Sequence, residues 1–501
     1  MAERLEHSAS GMDRHDVMAW PGVGRRAVGT WGKVCAAILR AGFAPVILLA
    51  LVPFGATGPF AYPAASLAIA VWSGLVFALC RSGRFPVSAT LAIALVLAAW
   101  VLLQAMPDPP VLVVHPIWRE AAERLGQELA ASVSVAPERT LGALPAILAP
   151  LLVFASVLLL YRSDRDALRL LRFLAVLGSL VAVFGIVQHF AFPNTLLWAP
   201  KRAYRDSLTG VFANRNTAAT FLGCTMLLLM GLAARRLNGR PAPLALWVLM
   251  TEPGRARREW PLVLTVLALF VVAIAVFLTK SRAGVTSSLM AAAILAFLLQ
   301  ARRPVRRRSR TRQRSRWRRR SARWFGSTAI LVVLLGGALV VFGGQTLRRV
   351  SLAGFNDDRF CVLPGMWRAA RDAWPMGTGA GTFDLVFPAY RDPTCGIYWV
   401  WDRAHNVFLE GVVTLGVVFP LVCALAYGVL LAALARGLRD RRRERFAPAV
   451  GLAVLALLTM HDLLDFSVQI PGMAVFAAAL LGATVAISTR ESPSRGSAQS
   501  S

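Results

Sequence analysis

The segment "VWDRAHNVFLEGVVTLG" (residues 400–416) places His405 and Asn406 at the start of an apolar run, with Glu410 about one turn deeper. Histidine is the side chain best suited to take a proton near neutral pH, and at such a position it serves either as a base or as a cap. A second cluster lies in "HDLLDFSVQIPG" (461–472), where His461 and Asp465 are spaced to share one helical face and Asp462 stands between them. Carboxylates at the end of an apolar helix belong to a partner, either a cation such as Arg282 or a proton path. In "FLTKSRAGVTS" (277–287), Lys280 and Arg282 sit between two apolar runs with almost no loop. These cations either snorkel to lipid headgroups or hold an anion.

Further basic residues precede the next apolar run in "KRAYRDSLTGVFANRNTAATF" (201–221): Lys201, Arg202, Arg205 and Arg215, with Asn214 and Asn216. Asn214 is placed to cap a helix whose free N–H groups favour an anion. In "RDAWPMGTGAGTFDLVFPAYRD" (371–392), Gly377, Gly379 and Gly381 resemble a phosphate loop. No strand precedes them, so a tight turn is the better reading. One base, a few carboxylates and several cations suit a large anionic substrate such as a pyrophosphate headgroup. Arginine binds phosphate bidentately and stabilises departing charge directly, so this chemistry calls for no metal and no cofactor. The sequence has no GxxxxGK[ST] and no metal-spaced His/Cys cluster.

The elements that carry these residues are membrane spans. Of the 501 residues 56% are hydrophobic, and the mean hydropathy is +0.58. Runs of about 18–22 nearly uncharged residues recur, each long enough to cross a bilayer core. The fold class expected is all-α, a polytopic membrane protein of about twelve spans. These are 33–54, 62–80, 86–105, 141–161, 170–190, 216–234, 261–279, 283–300, 324–344, 407–434, 448–465 and 471–489. The net charge of +29 invites a nucleic-acid reading, but its location argues against one. Thirteen arginines fall in Arg302–Arg323, six in Arg235–Arg258 and six in Arg436–Arg445. All three are inter-span segments on one side when the N-terminus is cytoplasmic, as charge bias requires. Anionic membrane lipid is the simpler partner for them, and no nucleic acid is expected.

The expected organisation is a cytoplasmic tail (1–32), a transmembrane domain (33–489) and a cytoplasmic disordered tail (490–501). Within the domain, 302–323 is an Arg-rich cytoplasmic loop and 345–406 a long outer loop, of a length that is usually functional. The outer loop carries Cys361 and Cys395, which are either paired or two buried thiols. Another outer segment contains "IWREAAERLGQELAAS", with Ile117, Trp118, Ala121, Ala122, Leu125 and Leu129 on one helical face. It is either a helix on the membrane–water boundary or one packed on the bundle.

Taken in order, "GVFANRNTAATF", "LTKSRAG", "PMGTGAGTFDLVFPAYRD", "WDRAHNVFLE" and "DFSVQIP" resemble the O-antigen ligase / O-antigen polymerase-like superfamily. The resemblance spans roughly residues 86–489. It implies a GT-C-type membrane glycosyltransferase of the bacterial inner membrane with its site facing the periplasm. Such an enzyme transfers a glycan from undecaprenyl pyrophosphate, without a metal and with inversion, to lipid A-core or a growing polysaccharide. It further implies that His405 is the general base and Arg282 a pyrophosphate ligand, with Lys280 beside it. Arg205 or Arg215 would be the second such arginine, and Asp465 or Asp462 the acidic residue of the last outer turn. Asn406, Glu410, Asn214 and Asn216 would support them.

A reading from another class is a membrane transporter or lipid-linked glycan flippase. That would place charges near span centres, often with an internal repeat. The charges here cluster at span ends instead, and no repeat is evident.

Overall fold

The computed structural model describes residues 25–80, 85–109, 113–237, 253–301, 358–395, 401–441 and 444–490. The expected span 324–344, the Arg-rich segment 302–323 and both tails (except residues 25–32 and 490) lie outside the described residues. The helices are α1 Arg25–Leu51, α2 Ala61–Leu79, α3 Phe85–Ala105, α4 Ile117–Leu125, α5 Pro137–Leu160, α6 Asp164–Ala191 and α7 Arg215–Leu237. They continue as α8 Pro253–Leu278, α9 Arg282–Gln300, α10 Asp358–Asp372, α11 Phe383–Val386, α12 Val407–Leu415, α13 Val418–Asp440, α14 Phe446–Asp462 and α15 Pro471–Ser488. Ten of them are long and apolar enough to cross a membrane, and α14 is a shorter apolar helix. The protein is an all-α polytopic membrane protein. The described strands are one two-residue pair, β1 Thr195–Leu196 and β2 Ala199–Pro200.

Two helices form the centre. Both α7 and α15 are almost wholly enclosed by protein. Helix α15, "PGMAVFAAALLGATVAIS", is rich in alanine and glycine. Small side chains let helix backbones approach closely, which is how helices pack where lipid is as apolar as leucine. It packs on α5, α6, α13, α14 and α1, while α7 packs on α8, α9 and α14. At one end of the bundle the connections are stitched by ion pairs. Arg235 donates two bonds to Glu444, at 2.6 and 2.7 Å, and Arg441 pairs with Asp164.

Two expected spans end differently. The run 407–434 is not one helix: α12 stops at Leu415 and α13 starts at Val418, with Gly416 at φ +59° between them. A Cβ at Gly416 would overlap Pro375 O, so the glycine-rich turn is seated where the helix breaks. Val417 N donates to Pro375 O at 2.9 Å, and Thr378 N and Gly379 N donate to Val413 O and Thr414 O at 2.9 and 3.0 Å. Gly377, Gly379 and Gly381 are therefore a tight packing turn, at φ +75°, +102° and +73°. Gly416→Ala is expected to destabilise the protein by about 1–3 kcal/mol, from left-handed backbone strain and the clash together. A fluorescence melt in detergent reads this as a lowered midpoint.

The second difference is at 448–465, where α14 ends at Asp462 because Leu464 N bonds His461 O in a tighter turn. Asp465 is therefore beyond the helix rather than on its face.

The described part of the long loop is folded. Helix α10, the Phe387–Tyr390 turn and α12 share a core of Val362, Met366, Phe383, Phe387 and Val413. Cys361 is disulfide-bonded, and Cys35, Cys80, Cys224 and Cys423 are free thiols. The side chain of Cys395 lies outside the described residues. Helix α4 forms as expected, with Trp118 Nε1 donating to Ser134 O at 3.0 Å. Docking leaves Ile117 and Leu125 47% and 62% exposed, so protein covers only part of its apolar face.

Candidate functional site

His405 is placed by its neighbours in the chain. Asn406 caps α12, its Oδ1 accepting from Phe408 N and Leu409 N at 3.0 Å each. The Asn406 amide also donates to Leu463 O at 3.0 Å, tying the start of α12 to the turn that carries Asp465. On the other side, Glu410 accepts from Ala404 N at 2.8 Å and pairs with Arg403 at 3.2 Å. Glu410 lies about one turn deeper than His405 in the chain. It clamps the two residues before His405, because a buried carboxylate needs charged and N–H partners. So held, His405 adopts φ +52°, in the left-handed region. Histidine tolerates that region better than most residues, at a cost of about 1–3 kcal/mol.

The His405 ring lies edge-on to Trp401 and Phe466, with centroids at 5.1 and 4.9 Å. Its Nδ1 is 3.3 Å from Asp465 Oδ1. The imidazole keeps 24% of its surface open, whereas Asp465 has none. The carboxylate thus holds one ring nitrogen, Nδ1, and leaves Nε2 on the other side of the ring. Asp465 Oδ2 is 4.0 Å from His461 Nε2. His461 Nδ1 is 3.0 Å from Thr220 Oγ1 and 3.3 Å from Ser467 Oγ. Asp462 is buried beside this cluster and accepts from the Val468 backbone, so of the two aspartates it is Asp465 that meets His405.

The polar chain continues to the cations. Thr220 Oγ1 donates to Asn216 O at 3.1 Å, and Asn216 Oδ1 accepts from Ser281 Oγ at 2.8 Å. Ser281 caps α9, accepting from Gly284 N at 3.1 Å, and Arg282 is the first residue of that helix. Buried polar contacts through α14, α7 and α9 thus connect His405 to Ser281, the neighbour of Arg282. Asn214 acts as the sequence suggests, its Oδ1 accepting from Asn216 N at 2.8 Å at the start of α7.

The remaining cations gather at the same end. Leu208 N donates to Leu278 O at 2.9 Å, joining the segment before α7 to the α8–α9 turn. Arg215 lies over the Tyr204 ring at 4.9 Å and donates to Ser207 Oγ at 3.3 Å. Arg205 is exposed and donates to its own loop at Lys201 O, 3.2 Å. Arg215 is therefore the better held of the two. Lys280, also at positive φ (+52°), pairs with Asp206 at 3.4 Å. Lys201 is buried and donates to Ser207 O at 2.7 Å. Burial pushes its ammonium below the ordinary lysine range, with Asp206 pulling it back. Asp206 was missed in the sequence, where its signal is a lone acid among four cations. Among the described residues no group of three or more His, Cys, Asp or Glu side chains is placed to hold a metal.

Fold and site together define a multi-pass membrane protein with a histidine–carboxylate pair and a cationic cluster at one end of its bundle. Residues 267–419 match the model of the O-antigen ligase family, which supports an O-antigen ligase-like family for this chain and an O-antigen ligase/polymerase-like membrane enzyme. The match contains Lys280, Arg282, His405, Asn406 and Glu410, and leaves out Arg205, Arg215, Asp462 and Asp465. No curated protein matches the chain.

Proposed function

We propose that this protein transfers a glycan from undecaprenyl pyrophosphate to an acceptor hydroxyl, on lipid A-core or a growing polysaccharide, at the periplasmic face of the bacterial inner membrane. The observation that carries the reading is His405, about a quarter open and backed by a fully buried Asp465, linked by buried polar contacts to the α9 cap beside Arg282. Asp465 accepts from His405 Nδ1–H, so Nε2 carries the lone pair that takes the acceptor's proton. The hydroxyl oxygen bonds to the anomeric carbon from the face opposite the leaving group. The carbon–oxygen bond to the pyrophosphate breaks, and the electron pair leaves with the phosphate. In this reading Arg282, Arg215 and Lys280 bind that pyrophosphate, and the exposed Arg205 adds a further cation nearby in the chain. Fixed cations stabilise developing charge without reorganising at the moment of reaction. In this reading, metal independence follows from those cations supplying the charge.

Surface glycans of a deletion strain, resolved on a gel, test the proposal. Unmodified core indicates a ligase, single-repeat products a polymerase, and loss of one secreted polymer an exopolysaccharide enzyme. An unchanged glycan profile would overturn the assignment.

A further inference from the structure

Behind the pair formed by His405 and Asp465 stands a second histidine that the proposed chemistry does not use. His461 and Asp465 are both fully enclosed. Burying an imidazole and a carboxylate together costs more than packing apolar side chains of similar volume, so the pair calls for a reason beyond stability. The orientation of the ring is set from three elements. Thr220 on α7 and Ser467 in the 3-10 turn Ser467–Gln469 both meet Nδ1 of His461, in the last turn of α14. Thr220 and Ser467 also lie 3.0 Å from each other, closing the arrangement. With Nδ1 fixed there, Nε2 faces Asp465 Oδ2 at 4.0 Å. Each Asp465 oxygen therefore faces one imidazole, Oδ1 that of His405 and Oδ2 that of His461. At 4.0 Å the two atoms interact through charge rather than a hydrogen bond; an imidazole lone pair aimed at a carboxylate would be repelled, which favours the proton on the nitrogen facing Asp465.

We infer that His461 is a positioning residue: its Nε2–H and the Thr220–Ser467 clamp hold the Asp465 carboxylate in the orientation that keeps His405 in its Nδ1–H tautomer. The inference rests on the proposed role of His405 as base. The alternative is a core histidine that merely satisfies the Thr220 and Ser467 hydroxyls.

Two substitutions separate these roles, because glutamine puts its amide near the place of Nε2 and asparagine near that of Nδ1. The full-length protein in nanodiscs, labelled with ring-¹⁵N histidine, reports the His405 tautomer without any transfer reaction; loss of the signal in His405→Ala assigns it. Transfer is read in a complemented deletion strain at matched protein level. His461→Asn is expected to move His405 toward Nε2–H and to lower transfer about tenfold or more, as wrong-tautomer variants of a catalytic histidine do. His461→Gln is expected to keep both near wild type. Thr220→Val, which loosens the clamp and leaves every titratable group in place, should shift the tautomer in the same direction if the His461 variants do not accumulate. Equal behaviour of Asn and Gln, better retention by Asn, or an unmoved tautomer in Thr220→Val would overturn the inference. Loss of the proposed function is seen separately, as full transfer by His405→Ala.

Discussion

His405→Ala is expected to lower transfer by about 10²–10⁴-fold, the usual worth of a positioned general base, while membrane level and donor binding stay near wild type. The selectivity of that loss follows from the geometry. His405 meets Asp465, Trp401 and Phe466, and the neighbouring backbone is held independently by Asn406 and by Glu410. Removing the imidazole deletes the proposed proton acceptor and leaves the backbone on either side of it held. The left-handed φ of His405 is no easier for alanine, so a modest drop in melting temperature accompanies the loss. Transfer by His405→Ala at more than about a tenth of the wild-type rate would mean that this histidine is not the base.

The second large effect is expected at Arg282. Arg282→Lys keeps the charge and loses the planar fork that engages two phosphate oxygens at once. Loss of one charge-assisted bond is worth at least about 2 kcal/mol, which is more than tenfold in donor binding, in rate or in both. Arg282→Ala should be at least as impaired. Ordinary contact with lipid headgroups makes the opposite prediction, since an ammonium reaches a headgroup as well as a guanidinium does. Transfer assays of the two variants at matched protein level decide between them. Near-wild-type activity in both would remove Arg282 from the phosphate site.

These expected effects depend on features of unequal visibility in the chain. Long apolar runs and their arginine-bearing flanks made the all-α membrane class and most span positions legible, because both are set by local composition against a slab of fixed thickness. His405, Asn406, Lys280 and Arg282 were legible for a related reason. Polar residues at the ends of apolar runs are costly there and so stand out. Cap chemistry was equally local: Asn214 and Asn406 cap α7 and α12 from their own sequence positions.

What depended on elements distant in sequence was not legible. The run 407–434 has no break in hydropathy at Gly416. The break comes from the 375–381 turn wedged against the end of α12, which leaves no room for a side chain. The same contact explains why Gly377, Gly379 and Gly381 cradle protein rather than phosphate. Glu410 is spaced to face His405 but serves Arg403 and Ala404, since burial drives a carboxylate to the nearest cation and N–H. The choice of Asp465 over Asp462 as the partner of His405 was likewise tertiary. It turned on α14 ending three residues sooner than its apolar pattern suggests. Sequence alone determined which residue types stand at the ends of the helices, because the membrane imposes that placement residue by residue. Only the packing of α7, α9, α12 and α14 decided which of those residues meet, because hydrogen bonds and ion pairs act over a few ångströms that sequence spacing does not encode.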